Sequence, residues 1–210
     1  MTSRADDSRL EKELERTVCL TLEGAKTEQA LLENLRISQA TSADVRSVRD
    51  LVHGVQFDVL QDTSDWRRDA SWERSWKAGS TWLLEIAGGQ TPDIVLRSKA
   101  DRWSGENRIL IEVKREQGDF QYERECFQMI RYFLYLLATT RRYPLAGRGD
   151  CKCKVPDICR HEIRRAVLAA APSGWFARQG RESKWRHFMD TYRHIAKTLD
   201  VTIGEIHLDG

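Results

Sequence analysis

Asp93, Glu112 and Lys114 are the residues of this chain whose types and spacing could do chemistry. Glu112-Val113-Lys114 ends the apolar run Ile109-Leu110-Ile111. On a β-strand alternate side chains share a face, so Glu112 and Lys114 stand side by side while Ile109, Ile111 and Val113 turn the other way. Asp93 follows Pro92 and opens a second apolar run, Ile94-Val95-Leu96. If the two runs pair as a hairpin around the polar 98–107 segment, the start of one lies beside the end of the other, and Asp93 approaches Glu112 and Lys114. Two carboxylates and one ammonium suit a hard divalent cation, because magnesium prefers oxygen ligands and keeps several waters while held by one or two carboxylates. Such an ion polarises a phosphodiester and lowers the pKa of a bound water. The ammonium orients that water or offsets charge building on the phosphate. The plainer alternative is a salt-bridging strand face for Glu112 and Lys114, with Asp93 a strand-end residue after proline.

The next segment, 120–138, has helical spacing and helical length, and it carries Gln128 and Tyr132, which are four apart and share a helix face. Pro92-Asp93, 18 intervening residues and then Glu112-Val113-Lys114 resemble the motif of the PD-(D/E)xK nucleases, the restriction-endonuclease-like superfamily. Gln128 and Tyr132 resemble the QxxxY element of its RecB-like and lambda-exonuclease-like branches. The runs TPDIVL, IEVKRE and FQMIRY also resemble nuclease domains of the McrC type. The resemblance covers about residues 82–138. It implies that Asp93 and Glu112 bind Mg2+ or Mn2+ together with the backbone carbonyl of Val113. It also implies that Lys114 assists the attacking water, and that Gln128 and Tyr132 position the substrate strand and the lysine. Many members add a glutamate from an N-terminal helix. Here the candidates are Glu13, Glu15, Glu23 and Glu28, with Glu11 and Glu33 less favoured.

These residues need a scaffold. Leu10, Leu14 and Val18 make an apolar stripe on a first helix, Ala30, Leu31 and Leu35 mark a second, and Thr41 to Asp44 cap a third through Val45, Val48, Leu51 and Val52. From Thr81 the pattern turns to short apolar runs: Trp82 to Ile86, Asp93 to Leu96 and Ile109 to Lys114 read as strands. Arg165 to Ala171 and Val201 to Leu208 read as two more, with a helix over Glu182 to Leu199 between them. The expectation is an α/β fold: an N-terminal helical region over residues 1–80 and a restriction-endonuclease-like core over 81–210, its mixed sheet flanked by helices.

Other features are less specific. Cys151, Cys153, Cys159 and His161 fall within 11 residues and offer ligands for a structural Zn2+; the plainer alternative is a basic loop with free thiols. Some relatives of the nucleases hold an iron–sulfur cluster, for which Cys19 or Cys126 would have to give a fourth thiolate. Trp66, Trp72 and Trp76 lie among cations, a pattern that stacks on unpaired bases but more often packs helices. His187 and His194 share a helix face with nothing nearby to complete a triad, and there is neither a Gly-rich phosphate loop nor a serine elbow.

Net charge is +2, yet residues 141–197 carry 14 Lys/Arg against 5 Asp/Glu. Such a basic third attracts a polyanion. No run approaches the roughly 20 apolar residues of a membrane span, and the polar N-terminus is no signal peptide. Five cysteines, an odd number, suit a reducing compartment. The expectation is a cytoplasmic, metal-dependent nuclease acting on nucleic acid, DNA above RNA, in defence, restriction or repair, with an NTPase or other protein partner. The alternatives are an inactive nucleic-acid-binding module of the same fold and a zinc-dependent interaction protein.

Overall fold

The computed structural model describes residues 4–24, 33–52, 57–60, 91–98, 108–115, 128–134, 136, 165–178, 184–199 and 201–209. Its strands are β1 (Ile37–Ser38), β2 (Phe57–Leu60), β3 (Ile94–Ser98), β4 (Arg108–Val113), β5 (Arg165–Ala171) and β6 (Val201–His207). The helices are α1 (Arg4–Gly24), α2 (Val48–Val52), α3 (128–134), α4 (Ser173–Arg178) and α5 (Lys184–Thr198).

The six strands form one mixed sheet in the order β1-β6-β5-β4-β3-β2. β4, β5 and β6 run parallel, and the outer pairs are antiparallel. β5 lies inside this parallel centre, and all seven of its residues are buried. Its continuous run Ala-Val-Leu-Ala-Ala-Ala is what a strand covered on both faces needs.

Alternation along the strands builds two apolar layers. Ile94, Leu96, Ile109, Ile111, Val113 and Leu168 pack against Val18, Cys19 and Leu22 of α1 and Val48, Leu51 and Val52 of α2. On the opposite face Val95, Leu110, Val167 and Ile203 pack against Tyr132, Phe133, Phe176, Trp185 and Phe188 of α3, α4 and α5. The protein is thus α/β, with helices on both faces of the sheet, as expected. Among the described residues no helix is long and apolar enough to cross a membrane.

The structure corrects the N-terminal expectations. The first 80 residues also supply both edge strands, β1 and β2, so they are not a purely helical region. The second helical stretch is present at Glu33 and Asn34 among the described residues and ends before Leu35. The chain bends there, Arg36 bridges Ser47, and β1 joins the edge of β6. α2 starts at Val48 rather than near Val45, because the Asp50 carboxylate accepts the backbone N–H groups of Arg46 and Ser47 at 2.8 and 2.9 Å, fixing the turn before the helix. Leu10 is exposed, and the apolar stripe of α1 is instead Leu14, Val18, Cys19 and Leu22. The expected strand at 82–86 lies outside the described residues.

Gly204 is the close approach that seats β1. A Cβ there would stand 2.4 Å from Ile37 Cγ2 and 3.5 Å from the Ser38 carbonyl oxygen. Ile37 is β-branched and buried, so it has little rotamer freedom to yield. Gly204→Ala is therefore expected to destabilise the fold by about 1–3 kcal/mol through overpacking, measured as a lowered urea midpoint; an unchanged midpoint would refute the contact.

Candidate active site

The hairpin expected from sequence is present. β3 and β4 pair antiparallel with Ile94 opposite Ile111. That register, continued by one residue, sets Asp93 opposite Glu112. Asp93 follows a buried proline and immediately precedes β3; Glu112 sits near the end of β4, where the ladder to β5 continues through Glu112 beside Ala169. Glu112 projects toward the α3–α5 face, the side of Leu110, where the Tyr132 hydroxyl reaches it.

The five expected residues come together. The Val113 N–H donates to Asp93 Oδ2 at 2.7 Å, which locks the aspartate to the residue between Glu112 and Lys114. Lys114 Nζ donates to Glu112 Oε1 at 2.7 Å. Tyr132 donates its hydroxyl to the other oxygen, Oε2, at 3.1 Å, and Gln128 Nε2 donates to that hydroxyl at 2.6 Å. The i, i+4 pair on α3 is thus a chain that ends on the metal-ligand candidate. Glu112 is 4 % exposed, and both its oxygens are satisfied, as a buried charge requires.

α1 closes the site. Lys114 Nζ also donates to Glu11 Oε1 at 3.2 Å, and Glu15 stands near enough to act electrostatically on Glu112 and Asp93. Glu11, less favoured by the sequence, is the N-terminal acid that bonds Lys114. Of the favoured four, Glu15 faces the site, Glu13 and Glu23 are exposed, and Glu28 lies outside the described residues. Helical phase could have chosen among them: Glu11 and Glu15 lie three residues before Leu14 and Val18, on the buried face, whereas Glu13 does not.

The charge balance of the cluster is unfavourable. Burial and the neighbouring Glu112 push the Asp93 carboxyl up to about 8, against the pull of Lys114 and the Val113 N–H. Burial likewise raises Glu112, opposed by Lys114 and Tyr132, and burial followed by Glu112 raises Glu15. For Lys114 burial works downward, but Glu112, Asp93 and Glu11 outweigh it and hold the ammonium charged. Burial and the Glu112 charge keep the Tyr132 phenol protonated. Asp93, Glu112, Glu11 and Glu15 thus gather around the Lys114 ammonium.

This arrangement sets a pH dependence. Between 3.8 and about 8 the folded Asp93 keeps a proton that the unfolded chain has released, so the unfolded state binds fewer protons and stability falls as pH rises through that window. Glu112 and Glu15, also raised, act in the same sense. Urea unfolding in chelator is expected to give lower stability at pH 8 than at pH 5, a difference that millimolar Mg2+ reduces; stability rising over that interval would contradict the assignment.

The donor chemistry fits a hard divalent cation. Excess carboxylate charge is what such an ion relieves, and two carboxylates with waters suffice for magnesium. Among the described residues, however, no group of three or more His, Cys, Asp or Glu side chains is placed to hold a metal ion. Cys151, Cys153, Cys159 and His161 lie outside the described residues, as do Trp66, Trp72 and Trp76. Cys19 is buried in the core between α1 and the sheet. His187 and His194 are exposed on α5. No family model, curated protein or solved structure matches the chain.

Proposed function

We propose that the protein is a metal-dependent nuclease of the PD-(D/E)xK type, with a restriction-endonuclease-like core, that hydrolyses phosphodiester bonds of DNA. The observation that carries this reading is the convergence of Asp93, Glu112 and Lys114 at the ends of two paired strands, with the Tyr132 hydroxyl, itself bonded by Gln128, donating to the Glu112 carboxylate. A salt-bridging strand face would be solvated; here Glu112 is buried, Asp93 is half-buried beside it, and the two carboxyls repel one another, a cost that structural ion pairing does not explain.

Asp93, Glu112 and the Val113 carbonyl would hold Mg2+ or Mn2+, which when bound polarises the phosphodiester and acidifies a water. The protein's own groups do the rest. The Val113 N–H fixes the Asp93 rotamer. Tyr132, itself held by Gln128, fixes that of Glu112. Lys114, kept charged by the surrounding acids, offsets the negative charge that grows on the phosphate in the transition state. Glu11 and Glu15 add negative charge that draws the cation in. The basic residues 141–197 would engage the phosphate backbone; of these, Arg186, Arg193 and Lys197 are exposed on α5.

The test is a cleavage assay on single- and double-stranded DNA and RNA, with Mg2+ or Mn2+ and with chelator. The expected result is divalent-dependent cleavage of DNA that chelator abolishes. Tight DNA binding without cleavage under any of these conditions would favour a non-cleaving binding module, and neither binding nor cleavage would remove the proposal.

A further inference from the structure

A second cluster of reactive side chains lies on the same face of the sheet, two strands away. Ser173 is the first residue of α4, immediately after Pro172 at the carboxyl end of β5. Glu205 and His207 alternate on β6, beside Ala169 and Ala171 of β5. The carboxyl ends of parallel strands are where α/β sheets gather their ligand sites. Ser173 Oγ stands 2.9 Å from His207 Nδ1, and His207 Nε2 stands 3.2 Å from Glu205 Oε2.

The parts behind the serine are braced. Trp185 Nε1 donates to Glu205 Oε1 at 2.8 Å, within the core. The Phe176 ring stacks on the imidazole with centroids 4.7 Å apart. Glu205 is buried, while the His207 side chain keeps 29 % of its surface exposed. A nucleophile, a base within reach of it and a buried acid orienting that base are the parts of an acyl-transfer centre.

We propose that Ser173, His207 and Glu205 form a second catalytic centre, one that cleaves carboxylic esters through a covalent acyl-serine. The Ser173 oxygen attacks the carbonyl carbon, and its proton passes to His207 Nδ1. Glu205, the positioning residue, accepts from Nε2–H and balances the imidazolium. The bond to the leaving alcohol breaks, and the alcohol takes the proton from Nδ1. Water then attacks the acyl carbon, again losing a proton to Nδ1, and that proton returns to the serine oxygen as the acid departs.

Asp209 sets the resting state. Its Oδ1 accepts from the Ser173 hydroxyl at 2.6 Å and from the Ser173 N–H at 2.8 Å. These bonds hold its carboxyl below the usual range. The serine has one proton and two acceptors, so Asp209 and His207 compete for it. Asp209 is exposed; when it swings away, the proton turns to Nδ1 and the oxygen becomes nucleophilic.

The test uses the full chain and a fluorophosphonate probe, which joins phosphorus to an activated serine oxygen and expels fluoride. The expected result is a single adduct mapping to Ser173, absent in Ser173→Ala and formed faster in Asp209→Ala. His207→Gln should slow labelling by at least ~10²-fold, the usual contribution of a general base, with its unfolding midpoint checked. Glu205→Gln should lower the maximal labelling rate without changing the half-saturating probe concentration, which a merely structural role would not do. No adduct in either the native chain or Asp209→Ala, or equal labelling in folded His207→Gln, would overturn the proposal and leave the cluster as a clasp between α4 and β6.

Discussion

Replacing Lys114 by methionine is expected to cut cleavage by on the order of 10²–10³-fold, the usual loss when one charge-stabilising donor leaves a transition state. The same change removes the only cation bonded to Glu112 among the described contacts, at 2.7 Å. With Lys114 only 15 % exposed and Glu112 5 % at the side chain, the pair is effectively internal. Breaking such a pair by removing one partner strands the other, so stability should fall by about 3 kcal/mol. Both losses follow from one contact, and both are read on one preparation, by cleavage rate and by urea unfolding. A variant that keeps full activity would remove the lysine from the mechanism; one that unfolds at the same urea concentration would show the pair contributes nothing to the fold.

Asp93→Asn is expected to behave in the opposite way on stability. The amide oxygen can still accept from the Val113 N–H, so the β3–β4 contact survives. The carboxyl that burial and Glu112 push up to about 8 is gone, and with it the repulsion toward Glu112 and Glu15. Activity should fall to background, because a neutral amide is a poor ligand for magnesium. Stability should rise relative to the native chain at pH 8, and the decline between pH 5 and pH 8 should shrink. A residue that raises stability when neutralised and ends activity when neutralised has its charge for function. Loss of both activity and stability at pH 8 would instead make Asp93 a structural strand-end residue.

Much of this site is legible in the sequence because it is local. Strand alternation puts Glu112 and Lys114 on one face, helical spacing puts Gln128 and Tyr132 on another, and the hairpin needs only two apolar runs and a polar loop. What the sequence hides is long-range. Glu11 meets Lys114 from 103 residues away, a contact that depends on which face α1 turns to the sheet. Leu10 matches the stripe by spacing but is exposed. β1 is two residues long, too short for any periodicity, and it exists because Gly204 leaves room on its neighbour. The Ser173–His207–Glu205 cluster joins two segments, with Trp185 and Phe176 behind it, and neither segment carries a motif by itself. The fold class follows from alternating apolar runs. The edge strands follow from tertiary packing, which no local pattern encodes.

In the proposed mechanism Asp93 and Glu112 share one divalent cation. Calorimetric titration of Mn2+ into the purified chain at pH 8 tests it most directly. One binding site per chain is expected in the native protein, lost in Asp93→Asn and in Glu112→Gln. It should be retained in Gln128→Ala, whose side chain bonds the Tyr132 hydroxyl at 2.6 Å. A native protein that takes up no Mn2+, or binding that persists unchanged in both carboxylate variants, would contradict the account.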